Sequence, residues 1–84
     1  MVKIFELGGR MKYKQITNDL IRQRLVEQIK FSGLTQAKIA KEIGVKPSTI
    51  SQYKINKMPS LETFSKLCQV LDCDANYILG LTDN

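Results

Sequence analysis

The sequence predicts an all-α fold of five short helices. Apolar residues recur every three or four positions from Asn18 to Leu79. Gly33, Gly44, Pro59 and Gly80 interrupt that pattern at intervals suited to short helices. A serine, threonine, asparagine or aspartate also stands ahead of four of the five runs, where it can cap a helix start. No convincing strand follows residue 16. A chain of 84 residues buries one small core, and 43% hydrophobic content with mixed charge marks it as folded rather than disordered.

Each element has its own signals. Val2 to Leu7 reads either as a short strand ended by Gly8-Gly9 or as a loose arm ahead of a natural start at Met11. Its Lys3, Arg10, Lys12 and Lys14 make it basic, as minor-groove arms are. Residues 1–16 are accordingly read as an arm and 17–84 as the domain. The first helix is predicted over Asn18 to Ser32, capped by Thr17 or Asn18. Ile21, Leu25 and Ile29 point inward, Arg22, Arg24, Glu27 and Lys30 outward, and Gly33 is the stop. The second runs from Gln36 to Ile43, capped by Thr35, with Ile39, Ala40 and Ile43 inward and Gly44 as its end.

The third helix is predicted from Pro47 to Lys54. Proline suits a first helical position, since its φ is preset and its missing N–H had no partner there. Ile50 and Tyr53 face the core, which leaves Ser48, Thr49 and Gln52 outside. Serine and threonine form helices poorly, but their small size permits close approach to another surface. Met58-Pro59 breaks the chain, and Ser60 caps a fourth helix with an apolar stripe of Leu61, Phe64, Leu67, Cys68 and Leu71. Asp74 caps a short fifth containing Ala75, Tyr77, Ile78 and Leu79, stopped at Gly80.

Charge is unevenly spread along the chain. Residues 1–35 carry seven Lys/Arg against three Asp/Glu, and residues 36–57 five against one, +4 in each case. Residues 58–84 carry one against four, or −3, within a net charge of +5. One basic surface offered to a polyanion fits this asymmetry. The chain has two cysteines and no histidine, too few ligands for a zinc site. Cys68 and Cys73 read as reduced core residues, in keeping with a cytoplasmic setting. No apolar run reaches the roughly 20 residues that span a bilayer. Without a histidine, a metal cluster or a glycine-rich phosphate loop, no catalytic residue or cofactor is assigned.

Several separate stretches carry a family resemblance: Gly33-Leu34-Thr35-Gln36, Ile39-Ala40, Ile43-Gly44-Val45, Ser48-Thr49-Ile50-Ser51-Gln52-Tyr53, Pro59-Ser60-Leu61-Glu62-Thr63 and Tyr77-Ile78-Leu79-Gly80. In this order and spacing, roughly from Arg24 to Asp83, the chain resembles the Cro/repressor-type (XRE-type, lambda repressor-like) helix-turn-helix family. The resemblance implies a compact five-helix domain whose third helix enters the major groove of DNA. Gln36 matches a family glutamine that contacts a backbone phosphate. Pro47, Ser48, Thr49 and Gln52 match the positions that read bases. A glutamine such as Gln52 can pair in bidentate fashion with adenine, Thr49 can set its methyl against a thymine methyl, and Pro47 contributes shape. Lys46, Ser51, Asn56 and Lys57 are better placed for phosphates, which fix register rather than sequence.

Three positions depart from the family pattern. Lys54 stands where many members have an acid paired with a basic residue in the first helix, here Ile29. Lys38 replaces a frequent glutamate, leaving the capping box of the second helix incomplete. Asp72 replaces a common glycine after the fourth. The implied function is a sequence-specific, double-stranded-DNA-binding transcriptional regulator, a repressor acting as a homodimer on a palindromic operator. Leu79 and Leu81, with the acidic C-terminal end, are candidates for the dimer surface. The alternative is an antitoxin or adaptor that uses the same fold to hold a protein partner such as a toxin, which requires an exposed apolar surface away from the third helix.

Overall fold

Four of the five helices begin where a side chain replaces the acceptors that a first turn lacks. In the computed structural model, which describes residues 16–82, these are α1 (Asn18–Ser32), α2 (Gln36–Ile43), α4 (Leu61–Leu71) and α5 (Ala75–Ile78), with α3 (Pro47–Tyr53) between them. Thr17 Oγ1 accepts the Leu20 N–H at 3.1 Å, and Thr35 Oγ1 accepts that of Lys38 at 3.1 Å. Ser60 Oγ serves Thr63 at 3.2 Å, and the Asp74 carboxylate serves Asn76 at 2.9 Å. The Lys38 substitution therefore spares the Thr35 half of the cap, and its ammonium pairs with Glu42 at 3.4 Å. α3 has no side-chain cap and starts on Pro47. No strand occurs among the described residues, and the expectations for Val2 to Leu7 and for the 1–16 boundary fall largely outside them.

The largest fully buried side chains are Leu25, Ile39, Ile50, Leu67 and Ile78, one from each helix. Ile29, Ala40, Ile43, Tyr53, Phe64 and Leu71 complete the core around them. Each such aliphatic side chain stabilises the fold by roughly 1.5–3 kcal/mol relative to exposure. Because every helix supplies one, none can leave without opening the common centre.

Three sequence expectations need correction. α3 ends at Tyr53, one residue early, because the Lys54 N–H turns back to Ser51 O at 3.1 Å and tightens the last turn. Leu61 lies on the solvent side, 82% exposed, because at the first position of α4 the core-facing stripe begins only at Phe64. Arg24 and Glu27 do not simply face solvent. The Arg24 guanidinium stacks 4.5 Å from the Tyr77 ring centroid and donates to the carbonyls of Tyr77 (2.6 Å) and Thr82 (3.0 Å). The Tyr77 hydroxyl donates to Glu27 at 2.7 Å. Glu27 thereby holds the phenol proton, which raises the Tyr77 pKa. Together these contacts clamp α5 and the following chain to α1.

Gly80, which ends the α5 turn, has φ +83°, and an added Cβ would lie 3.3 Å from both Ile16 and Leu20 side chains. The positive φ favours glycine there, and a Cβ would require the Ile16 and Leu20 side chains to give by a few tenths of an ångström. After α4 the same left-handed geometry falls on Asp72, with φ 51°. The helix nonetheless ends cleanly, with the Asp72 N–H on Gln69 O at 3.2 Å and that of Cys73 on Cys68 O at 3.1 Å. An L-residue is strained in this region, and a carboxylate opposes the negative end of the helix dipole. Asp72→Gly should therefore raise stability by about 0.5–1 kcal/mol despite glycine's larger unfolded-state entropy. An unchanged urea midpoint would show that no strain is stored there.

Cys68 and Cys73 are free thiols, both half-buried. Burial raises the Cys68 thiol. Burial first, then the charge and hydrogen bond of Cys68 and the carboxylates of Asp72 and Asp74, push Cys73 up to about 12. A thiol whose folded value lies above its ordinary 9.0 contributes stability in full below pH 9 and loses it as pH climbs toward 12. Between those limits the melting temperature should fall more steeply for wild type than for Cys73→Ala, and parallel curves would refute the linkage.

Candidate nucleic-acid interface

The turn between α2 and α3 sets how far the second of these helices projects. Gly44 takes φ +79°, a conformation that residues with side chains rarely adopt. Its N–H and that of Val45 both reach Ala40 O, at 2.8 and 2.9 Å, closing the end of α2. Val45 is half-buried, and Lys46 is extended ahead of Pro47. α3 is only seven residues, about 10 Å long, and too short to persist alone. It is held by Ile50, fully buried, and Tyr53, which is 4% exposed.

With Ile50 and Tyr53 inward, the rest of α3 is displayed. Pro47, Ser48 and Gln52 are exposed, and Thr49 is half-buried beside them. Lys46, Asn56 and Lys57 are exposed at the two ends, while Ser51 and Gln36 are half-buried. These nine residues lie on α2, α3 and their flanking loops, and hydrogen bonds bring Gln36 onto Ser51 and toward Pro47. The Gln52 carbonyl accepts the N–H groups of Ile55, Asn56 and Lys57, each at 3.0 Å. That single oxygen ties the loop bearing Asn56 and Lys57 to the end of α3. No acidic residue occurs between Gly44 and Pro59, and the nearest before it, Glu42, is paired with Lys38.

Gln36 is more engaged than its sequence position suggests. Its side-chain N–H group donates to Ser51 Oγ at 2.7 Å and lies 3.5 Å from Pro47 O. Its oxygen accepts from the Lys54 ammonium at 2.7 Å. Sequence reasoning placed Lys54 near Ile29 and gave it no part in the site. Elsewhere, Phe31 and Ile55 are 76% and 70% exposed, and they line an open groove along α1 with Lys30 and Tyr77. Among the described residues no helix is long and apolar enough to cross a membrane.

Two short helices joined through a glycine turn, the second showing small polar side chains outward, define a helix-turn-helix protein. The family model described as helix-turn-helix matches residues 32–78, more than half of the chain, and the chain belongs to that family. It is 36% identical over 63 residues to the uncharacterized HTH-type transcriptional regulator YobD of Bacillus subtilis, covering 74% of this chain and 56% of that protein. It is 39% identical over 51 residues to a proline–tRNA ligase of Synechocystis, covering 56% of this chain but 8% of the enzyme. The chain therefore spans about half of the regulator and a small part of the ligase. No solved structure matches.

Proposed function

We propose that this protein is a sequence-specific double-stranded-DNA-binding transcriptional regulator, a repressor acting in the cytoplasm, that reads the major groove with α3. The observation that carries this reading is the division of α3. Ile50 and Tyr53 are buried while Pro47, Ser48 and Gln52 are exposed, on a stretch without an acid. Membership of the helix-turn-helix family and likeness to a protein named as a transcriptional regulator support it. Gln52 reads a base by bidentate pairing, with Thr49 and Ser48 alongside it and Pro47 setting the fit. Lys46, Ser51, Asn56 and Lys57 engage the phosphates on either side, and Gln36, matched by resemblance to a phosphate-contacting glutamine, acts there through its hydrogen bonds to Ser51 and Lys54. A homodimer would place two copies of α3 about 34 Å apart on a palindromic operator.

Selection of bound duplexes from a random pool is the first test, with a palindromic consensus as the expected result. Failure to enrich any sequence would sink the reading. On the selected duplex, Gln52→Ala should cost about 1–3 kcal/mol and relax preference at one base pair. Lys57→Ala should weaken specific and random duplexes alike and lower the salt slope by about one unit. Wild-type behaviour from both variants would show that the contacts are misassigned.

A second reading is favoured by the exposed Phe31 and Ile55. On this view the protein is an antitoxin or adaptor whose α1 groove holds a protein partner such as a toxin. Phe31 on α1 is far from buried, so Phe31→Ser should shift stability by no more than about 0.5 kcal/mol. Operator affinity should stay at the wild-type level while regulation in the cell is lost. Regulation that survives the substitution would dismiss the partner surface.

A further inference from the structure

We propose that Gln36 and Lys54 act as one unit, in which Gln36 holds the Lys54 ammonium at the edge of α3 so that it contacts a backbone phosphate. Lys54 is then an additional DNA-contacting cation, and Gln36 is a positioning residue rather than the contact itself. The proposal rests on the DNA-binding reading and deepens it.

Three observations support the pairing. First, the Lys54 ammonium lies 2.7 Å from Gln36 Oε1, a neutral acceptor that orients the charge without cancelling it. The ion pairs given by the structure are Arg22–Asp19, Lys38–Glu42 and Lys66–Glu62, so no described carboxylate neutralises Lys54. Second, an ammonium has three donors, and the amide takes one of them. The donors of Gln36 are themselves directed at Ser51 Oγ and, more weakly, at Pro47 O. The remaining capacity to bind an anion therefore sits on Lys54. Third, Ser51 and Lys54 are three residues apart and share a flank of α3. Ser48 is three residues before Ser51, so this flank borders the exposed face that carries Ser48 and Gln52.

A free lysine is a mobile, strongly hydrated charge that loses much freedom on contact. Lys54 is half-buried and already tethered, so less freedom remains to be lost. A lysine at this position would otherwise be an unfavourable neighbour for the basic residues around it. The Gln36 tether makes it a fixed part of the cationic surface.

The experiment measures binding by fluorescence anisotropy at 50–200 mM salt, on the selected duplex and on a random one. The proteins are wild type, Lys54→Met, Lys54→Arg, Gln36→Ala and the Gln36→Ala/Lys54→Met double variant, each checked by thermal melting. Methionine keeps an apolar stem without the charge. If Lys54→Met fails to fold, Lys54→Gln gives the same readout. Lys54→Met should lower the salt slope by about 0.9, so that wild type loses about 3.5-fold more affinity than the variant across that range. Both duplexes should respond alike, and Lys54→Arg should retain the slope.

Gln36→Ala should weaken binding in wild type but not in the Lys54→Met background, as coupled residues do. An unchanged slope for Lys54→Met overturns the proposal. So does a Gln36→Ala loss of equal size in both backgrounds, which would make Gln36 an independent contact. A wild type without affinity for any duplex overturns the DNA-binding reading, and the proposal with it. That result is distinct from a wild type that binds while Lys54→Met matches it.

Discussion

The seating of Ile50 is the constraint on which the arrangement depends. α3 has only seven residues, begins without a side-chain cap and contains Ser48, Thr49 and Ser51, all weak helix formers. Nothing in its own backbone makes it persist. Ile50 and Tyr53 anchor it in a core shared with Ile39, Ala40 and Ile43 of α2. Because the two anchors are three residues apart, they fix rotation about the helix axis as well as position. Once that rotation is set, Pro47, Ser48 and Gln52 have no other place to go but outward. Geometry at the surface is thus a consequence of packing beneath it.

Polar contacts then add order to what packing has placed. The Gln52 carbonyl gathers three N–H groups of the following loop, so Asn56 and Lys57 are held relative to the residue whose side chain points outward. Gln36 links Ser51 and Lys54 across the gap between α2 and α3. At the opposite side, Arg24 and Glu27 bind Tyr77 by stacking and hydrogen bonds, fastening the short α5 to α1. These are two separate polar devices with different consequences. One organises a surface, while the other closes the core.

The elements were legible because their signals are local. Thr17, Thr35, Ser60 and Asp74 act as caps within three residues of themselves, and Gly33 and Gly44 stop helices by their own φ. The inward set was legible for the same reason, since three- and four-residue recurrence fixes a face. Leu61 shares the face of Phe64 and Cys68 by angle, but at the first position of α4 it remains exposed. Long-range polar partners left no comparable trace. Arg24 and Tyr77 are 53 residues apart, and charged residues on an outward arc look alike whether they meet solvent or another helix. The same limit hid Lys54, whose partner lies 18 residues earlier on another helix.

The position of Lys54 shows how one charge substitution alters a fold of this kind without unsettling it. An acid there would meet a basic residue from α1, and the pair would be internal to the domain. Here the matching α1 residue is Ile29, which is buried in the core and offers no charge. Lysine instead turns toward α2, where the Gln36 amide oxygen accepts it. Its charge is not cancelled there, and it joins a stretch from Gly44 to Pro59 that has no acid. The hydrogen-bond requirement and the surface potential are thereby met together. Of the lysines in that stretch, Lys54 is the one whose ammonium a side-chain acceptor holds in place.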